Sequence, residues 1–271
     1  MARTTKKRAQ QLKHDRFRDT TFDAAGRLQH RFEGRGRTIL YAVAGAVALV
    51  ALLIAFNWWR ERRADEARFA LGKAIEIAEA PVSPTPQPNQ VGPTFTSERE
   101  RAQKAVEAFQ KVQNDYGSPY KELARYFAAA NLLTVDRPKG LSELEALAKG
   151  GEAEVAARAR FALGQAREAD AQYDAAAALY RELLEDKGGA VSPNAVKLRL
   201  ANVLEKQGKK DEAVGLLFDM VKASRDAKGK DGKPLQPSTV TRAAADKLQE
   251  LSPERYAQLP PEPAPAGLPT L

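Results

Sequence analysis

The side chains that most often carry covalent or metal chemistry are scarce in this 271-residue chain. The absence of cysteine excludes disulfides, thiolate metal sites and a cysteine nucleophile. His14 and His30 are the two histidines, which excludes a histidine-based triad in the rest of the chain. Carboxylates such as Glu182 and Glu185 alternate with basic residues at helical spacing, which is typical of solvated helix faces. We therefore predict no enzymatic activity, no cofactor and no metal site.

Two glycine-containing patterns lack the partners that their chemistry would need. The segment 228–233 reads KGKDGK, without the Gly-x4-Gly-Lys-Ser/Thr spacing of a phosphate-binding loop. Asp231 and Gly232 in the same segment lack the further oxygen ligands of a calcium loop. The segment is predicted to be a hydrophilic loop.

The net charge of +8 is concentrated at the start of the chain. Residues 1–37 contain 11 Lys and Arg against four Asp and Glu, and so carry +7 of that charge. The remaining 234 residues are nearly neutral, whereas nucleic-acid binding by a folded domain requires a basic face. We predict a basic tail and no nucleic-acid partner.

An uncharged apolar segment follows the tail. Residues 39–56 read ILYAVAGAVALVALLIAF, and extending the segment through Trp59 gives 21 residues. A helix of that length is about 31 Å long, enough for a hydrocarbon core of about 30 Å. Tyr41 near one end and Trp58 and Trp59 at the other suit the two membrane interfaces. The pattern predicts an uncleaved transmembrane helix over 38–59.

Basic residues predict the orientation of that helix. The tail 1–37 carries 11 Lys and Arg, whereas residues 60–79 carry five. The side with the excess normally stays in the cytoplasm, so we expect the N-terminus inside and the C-terminal part outside.

Two features around the helix leave alternatives open. Residues 22–32 have an apolar face, which suits either an amphipathic helix on the membrane or a solvated basic arm. Ala44 and Ala48 have the small-xxx-small spacing of paired membrane helices, which allows a homo-oligomer.

The rest of the chain contains an internal repeat of helical segments. The clearest unit is 157–190, and it resembles a tetratricopeptide repeat, in which two antiparallel helices cross at small residues. Equivalent residues recur 37 positions later and 36 positions earlier. The residues expected to pack or turn within the repeats are Ala128, Gly140, Gly164, Tyr173, Ala176, Tyr180, Ala201, Gly208, Ala213 and Leu217.

These patterns predict an all-α chain. A single transmembrane helix would precede an α-solenoid of about three to four degenerate tetratricopeptide helix pairs, since about three repeats are needed for stability. The expected domains are a basic cytoplasmic tail (1–37), the transmembrane helix (38–59), the repeat domain (60–252) with a Pro-rich insertion (81–96), and a Pro-rich disordered tail (253–271). The alternative is a helical bundle with an accidental period.

The tetratricopeptide resemblance implies a protein-binding concave face lined by the first helix of each pair. In the family's phase, the outward residues are Arg125, Ala129, Phe161, Gln165, Leu198, Asn202 and Glu205. Phe161 would either anchor an apolar side chain of a peptide or pack against its own neighbours.

The order of basic tail, membrane helix and short repeat domain, together with the segment 114–133, resembles the ancillary subunits of the Sec translocon. The resemblance spans about residues 7–251. It implies a bacterial inner-membrane protein with a periplasmic domain, and translocation-channel subunits, periplasmic chaperones or exported chains as partners. We therefore expect a chaperone-like adaptor in protein export. The alternative is a scaffold for envelope assembly or cell division that binds fixed protein partners.

Overall fold

The computed structural model describes residues 36–83, 92–186 and 189–263. The predicted basic tail lies almost entirely outside these residues, and so do the apolar face of 22–32, the middle of the Pro-rich insertion and the last eight residues. The described residues form α-helices joined by turns and loops, with two isolated β-bridges. The chain divides into two units between Ala64 and Asp65.

Ten helices cover most of the described chain. They are α1 (Gly36–Ala78), α2 (Glu98–Asp115), α3 (Tyr120–Val135), α4 (Arg137–Gly150), α5 (Ala153–Ala169), α6 (Tyr173–Glu185), α7 (Pro193–Lys206), α8 (Lys210–Asp226), α9 (Thr239–Leu251) and α10 (Pro253–Tyr256).

Helix α1 contains the apolar segment. From Leu40 onward it is long and apolar enough to cross a membrane, and none of its most apolar window is buried by protein. Tyr41, Trp58 and Trp59 are exposed on it. The guanidinium of Arg62 lies 5.5 Å from the centre of the Trp58 ring, an arrangement suited to an aromatic side chain between an apolar and a polar medium.

The second unit begins with the last turns of α1. Leu71 and Ala74 are buried with Ala105 and Phe109 of α2 in one apolar cluster. The end of α1 and helix α2 therefore form the first helix pair of the second unit.

Three further pairs follow, namely α3–α4, α5–α6 and α7–α8. Each helix packs against the next, and the first helices of successive pairs also contact one another. Helix α9 packs against both α7 and α8, and so covers the last pair. The second unit is thus an α-solenoid of antiparallel helix pairs, as the repeat pattern predicted. We call α1, α3, α5 and α7 the first helices, and α2, α4, α6 and α8 the second helices.

The turns inside the last two pairs have the same geometry. The N–H of Ala171 donates to Glu168 O and that of Gln172 to Arg167 O, while Gly208 and the residue after it make the equivalent two bonds. Both Ala171 (φ +57°) and Gly208 (φ +77°) are left-handed, as this helix-ending motif requires. Glycine adopts that conformation freely and alanine does not.

The two ends of the Pro-rich insertion lie side by side. Val82 and Phe95 form a parallel bridge. The N–H of Ser83 donates to Phe95 O over 2.9 Å, and the N–H of Phe95 donates to Pro81 O over 3.2 Å. The described residues of the insertion are non-helical, and the chain leaves and re-enters the helical layer at one point.

The predicted register of α3 is wrong by one residue. Ala128 was aligned with Gly164 as the small residue facing the second helix of its own pair. The structure instead places Ala129 in the cluster of Leu144 on α4, while Ala128 joins the cluster of Phe109 on α2. The turn explains the shift, since only one residue separates α3 from α4 whereas three separate α5 from α6.

The start of the C-terminal tail is ordered, which corrects the predicted disorder from residue 253. Tyr256 and Leu259 pack against the last apolar cluster. Arg225 on α8 donates to the Tyr256 hydroxyl and to Pro260 O. Proline excludes a long helix here, but the apolar side chains between the prolines still find a surface to cover.

Candidate protein-binding surface

The crossing of α5 and α6 sets the position of the residues expected to bind protein. The Tyr180 ring is fully buried, and a Cβ added to Gly164 would lie 2.5 Å from Tyr180 Cε1. Only glycine lets the two helices approach this closely around a tyrosine. The Phe161 ring centre lies 5.9 Å from that of Tyr180.

Phe161 is half-buried because one part of its ring packs on Tyr180 and the cluster around it. Of the two expectations for this residue, packing against its neighbours is therefore found. The rest of the ring stays accessible. Gln165, one turn later on α5, is also half-buried.

Helix α7 repeats this arrangement. Leu198 and Asn202 occupy the positions of Phe161 and Gln165, and both are half-buried. Leu198 packs against the same apolar cluster as Phe161. Helices α5 and α7 thus each present an apolar side chain followed, one turn later, by an amide side chain.

Glu205 belongs to the contact between α7 and α9. Its carboxylate lies 3.0 Å from Lys247 Nζ on α9. The hydrogen bond with Glu205 is the main reason that the pKa of Lys247 lies above its ordinary value. Glu205 is thus engaged within the fold.

Glu168, which is equivalent to Glu205, has the same role one repeat earlier. It accepts a hydrogen bond from the Tyr180 hydroxyl over 3.0 Å and lies 3.6 Å from Arg199 on α7. Burial raises the pKa of Tyr180 far above its ordinary value, so the hydroxyl stays protonated and donates. Sequence reasoning missed Glu168 because a surface carboxylate gives no signal of a buried partner.

Arg125 and Ala129 do not lie with these residues. The Arg125 guanidinium donates to Glu143 on α4 over 3.1 and 2.9 Å, and Ala129 is only 1% exposed. Both line a groove of 280 Å³ between α2 and α4. The one-residue shift of α3 turns its face by about 100°, which moves both residues off the predicted face.

The one-residue shift in the register of α3 also brings Tyr126 to the position that was predicted for Arg125. Tyr126 on α3 now corresponds to Phe161, and it is half-buried against the cluster of α4 and α5. Burial raises the pKa of Tyr126. We call Tyr126, Phe161, Gln165, Leu198 and Asn202 the first-helix face. The single-residue turn at Asp136 was the sequence signal that could have found Tyr126.

The other side of the helical layer has a second groove. It lies between α4 and α6, measures 460 Å³ and has apolar walls that include Leu163 and Leu179. Ion pairs of Arg167 with Glu145 (2.7 Å) and of Arg160 with Glu182 (3.0 Å) border it. The two arginines at this groove therefore already have carboxylate partners.

Within residues 36–83, 92–186 and 189–263, no group of three or more His, Cys, Asp or Glu side chains could hold a metal ion.

Comparison with known proteins gives two structural neighbours. No family model matches the chain, and no curated protein matches it. Two crystal structures are similar, one of nearly identical TPR-like repeats assigned to a kinesin light chain of Podosopora anserina and one of a variant of that protein. Each is 17% identical, with a TM-score of 0.44, over 59% of this chain and 82% of the other. At that TM-score the likeness carries no argument, and the helical repeat stands on the packing described above.

Proposed function

We propose that this chain is a membrane-anchored adaptor whose first-helix face binds an extended segment of another protein. The observation that carries the proposal is the row of Tyr126, Phe161 and Leu198, half-buried at equivalent positions on three successive first helices. Apolar side chains held in place by a packed core, yet still accessible, are the usual anchors of protein recognition.

The spacing of the row favours an extended ligand. Neighbouring packed helices lie about 8–10 Å apart. A polyproline II segment is extended, with three residues per turn and a rise of about 3.1 Å per residue, so every third side chain recurs on one face at about 9 Å. The amides of Gln165 and Asn202, next to the row, both donate and accept hydrogen bonds and suit the backbone of such a segment.

The proposed site of action is the protein-export machinery at the bacterial inner membrane. The order of basic tail, apolar helix and helical repeat supports it through the resemblance to ancillary Sec-translocon subunits. In this proposal α1 spans the membrane with the N-terminus in the cytoplasm, and the repeats lie in the periplasm. Translocation-channel subunits, periplasmic chaperones and exported chains are then the candidate partners. Anchoring raises the local concentration of the repeats at the membrane.

Photocrosslinking in cells tests this proposal. A photoreactive amino acid replaces Gln165 on the first-helix face or, as control, the exposed Ala178 on α6. Crosslinks to channel subunits or to a secretory chain in transit, from residue 165 only, are expected. The Phe161→Ala and Leu198→Ala double variant should weaken them while its helical circular dichroism is retained. A fixed set of envelope-assembly or division proteins would replace the export proposal with the scaffold, and equal crosslinking from residue 178 would refute the first-helix face.

A reporter fused after Leu271 tests the orientation separately. Alkaline phosphatase is active only outside the cytoplasm, so activity is expected. A reporter that is active only in the cytoplasm would contradict the periplasmic placement and with it the export proposal.

A further inference from the structure

The segment between α8 and α9 is an ordered hairpin, although its sequence indicated only a hydrophilic loop. Lys228 and Pro234 form an antiparallel bridge. The N–H of Leu235 donates to Ala227 O over 2.9 Å, and the N–H of Gly229 donates to Lys233 O over 2.8 Å. We call residues 227–235 the basic hairpin.

Glycines and one aspartate hold the basic hairpin in shape. Gly232 has φ +76°, and a Cβ on Gly229 would lie 2.8 Å from the Asp231 carboxylate. That carboxylate accepts the Lys233 N–H over 3.1 Å. The lysine side chains contribute little to this framework, since the closest ion pair, Lys233 Nζ to Asp231, is 3.9 Å long and exposed on both sides.

The basic hairpin therefore presents cations to the surroundings. Lys228, Lys230 and Lys233 are all exposed. They flank Leu235, which is 50% exposed and lies over Gly229. Among the described residues after α1, Val82 and Leu235 are the large hydrophobic side chains that stay exposed. Lysines around an accessible leucine are typical of surfaces that bind the interface of an anionic bilayer.

The topology places the basic hairpin at a particular edge of the helical layer. Second helices run opposite to first helices, so α8 ends at the edge of the layer where α7 begins. The turn 206–210 between α7 and α8 also carries three exposed lysines, but it lies at the opposite edge. The chain thus supplies a control segment with the same number of exposed lysines.

We propose that the basic hairpin binds the surface of an anionic phospholipid bilayer. An acidic protein segment would also attract three lysines, but the exposed Leu235 and the presence in the same chain of a helix long and apolar enough to cross a membrane favour lipid. Each lysine at an anionic surface changes partitioning roughly fivefold, so neutralising all three is expected to weaken it roughly 100-fold. The proposal is independent of which protein the first-helix face binds.

Fluorescence of the full chain in lipid vesicles tests the proposal. Because the chain has no cysteine, Gln236→Cys gives a single site for an environment-sensitive dye beside the basic hairpin. We expect a blue shift of the dye in vesicles of phosphatidylcholine with about a third phosphatidylglycerol, none in phosphatidylcholine alone, and reversal by high salt. The triple variant Lys228→Gln, Lys230→Gln, Lys233→Gln should abolish the shift, and Leu235→Ser should reduce it.

The control triple variant Lys206→Gln, Lys209→Gln, Lys210→Gln removes the same charge at the opposite edge and should keep the shift. An equal loss in both triple variants would overturn the proposal, because it would reduce the effect to net charge. The same shift in neutral and anionic vesicles would overturn it, and so would a shift produced only by an added acidic protein. Helical circular dichroism shows that each variant is folded.

Discussion

The helix pairs α5–α6 and α7–α8 solve the same packing problem with different residues. Thirty-seven positions apart, Gly164 and Tyr180 in one pair correspond to Ala201 and Leu217 in the other, and all four are buried. Tyr180 is larger than Leu217, and its partner Gly164 is smaller than Ala201, the partner of Leu217. What the repeat preserves is thus the combined volume at the crossing, because cores tolerate exchanges that keep volume and patterning.

The turns of the two pairs also differ, and here the glycine lies in α7–α8 instead of α5–α6. The α7–α8 turn has Gly208 in the left-handed position, whereas the α5–α6 turn holds Ala171 in the same conformation. One pair therefore has a glycine at the helix crossing and the other has a glycine in the turn. Each substitution below tests one half of this comparison.

Truncation at the crossing is expected to have the largest effect. Tyr180→Ala should lower the free energy of unfolding by about 3–5 kcal/mol, and Leu217→Ala by about 2–4 kcal/mol. Tyr180 should cost more because Gly164 cannot fill the space and Glu168 loses its donor. Urea unfolding followed by circular dichroism measures both, and a larger loss at Leu217 would contradict the comparison.

Overpacking the glycine crossing should have the next largest effect. Gly164→Ala is expected to cost about 1–3 kcal/mol, because the new methyl group meets the Tyr180 ring. In a Tyr180→Leu background the pair becomes the Ala–Leu pair of the next repeat, so the added cost of Gly164→Ala should nearly vanish. The free energies of unfolding of the unsubstituted chain, the two single variants and the double variant form a double-mutant cycle. Additive costs would show that volume is not what the two pairs share.

Exchanging the turn residues should have the smallest effect, with opposite signs. Ala171→Gly should stabilise the chain by up to about 1 kcal/mol, because it relieves a left-handed alanine. Gly208→Ala should destabilise by a similar amount, reduced by the entropy that glycine loses on folding. Thermal melting compares them, and the same sign for both variants would rule out left-handed backbone strain as the cause.

Sequence patterns predicted the fold well where the repeat keeps its length. The spacing from Gly164 to Ala176 recurs from Ala201 to Ala213, and the structure has helix pairs at both places. In α3–α4 a turn shortened by two residues shifted the register by one. A shift of one residue leaves a helix in place but turns its face by about 100°. The helices of that pair were therefore predictable, and its surface residues were not.

Features that depend on specific contacts outside the helical repeat were not predicted from the sequence. The basic hairpin requires hydrogen bonds that composition does not indicate, and its lysines and glycines favoured an irregular loop. Tyr256 and Leu259 stand among prolines, so the segment indicated disorder until the surface of α8 supplied a partner.

The hydrogen bonds that Arg225 donates to Tyr256 and Pro260 have a consequence for the number of helix pairs in the solenoid. A stack of helix pairs has no inherent end, since the last pair offers the next the same kind of apolar surface. Helices α9 and α10 cover that surface, and Arg255 of the tail lies 4.6 Å from the ring centre of Phe218 on α8. A further pair, or the array of another copy, would have to displace this segment before stacking. The segment from α9 to Pro260 thus caps the stack, because it occupies the apolar surface on which another helix pair would be added.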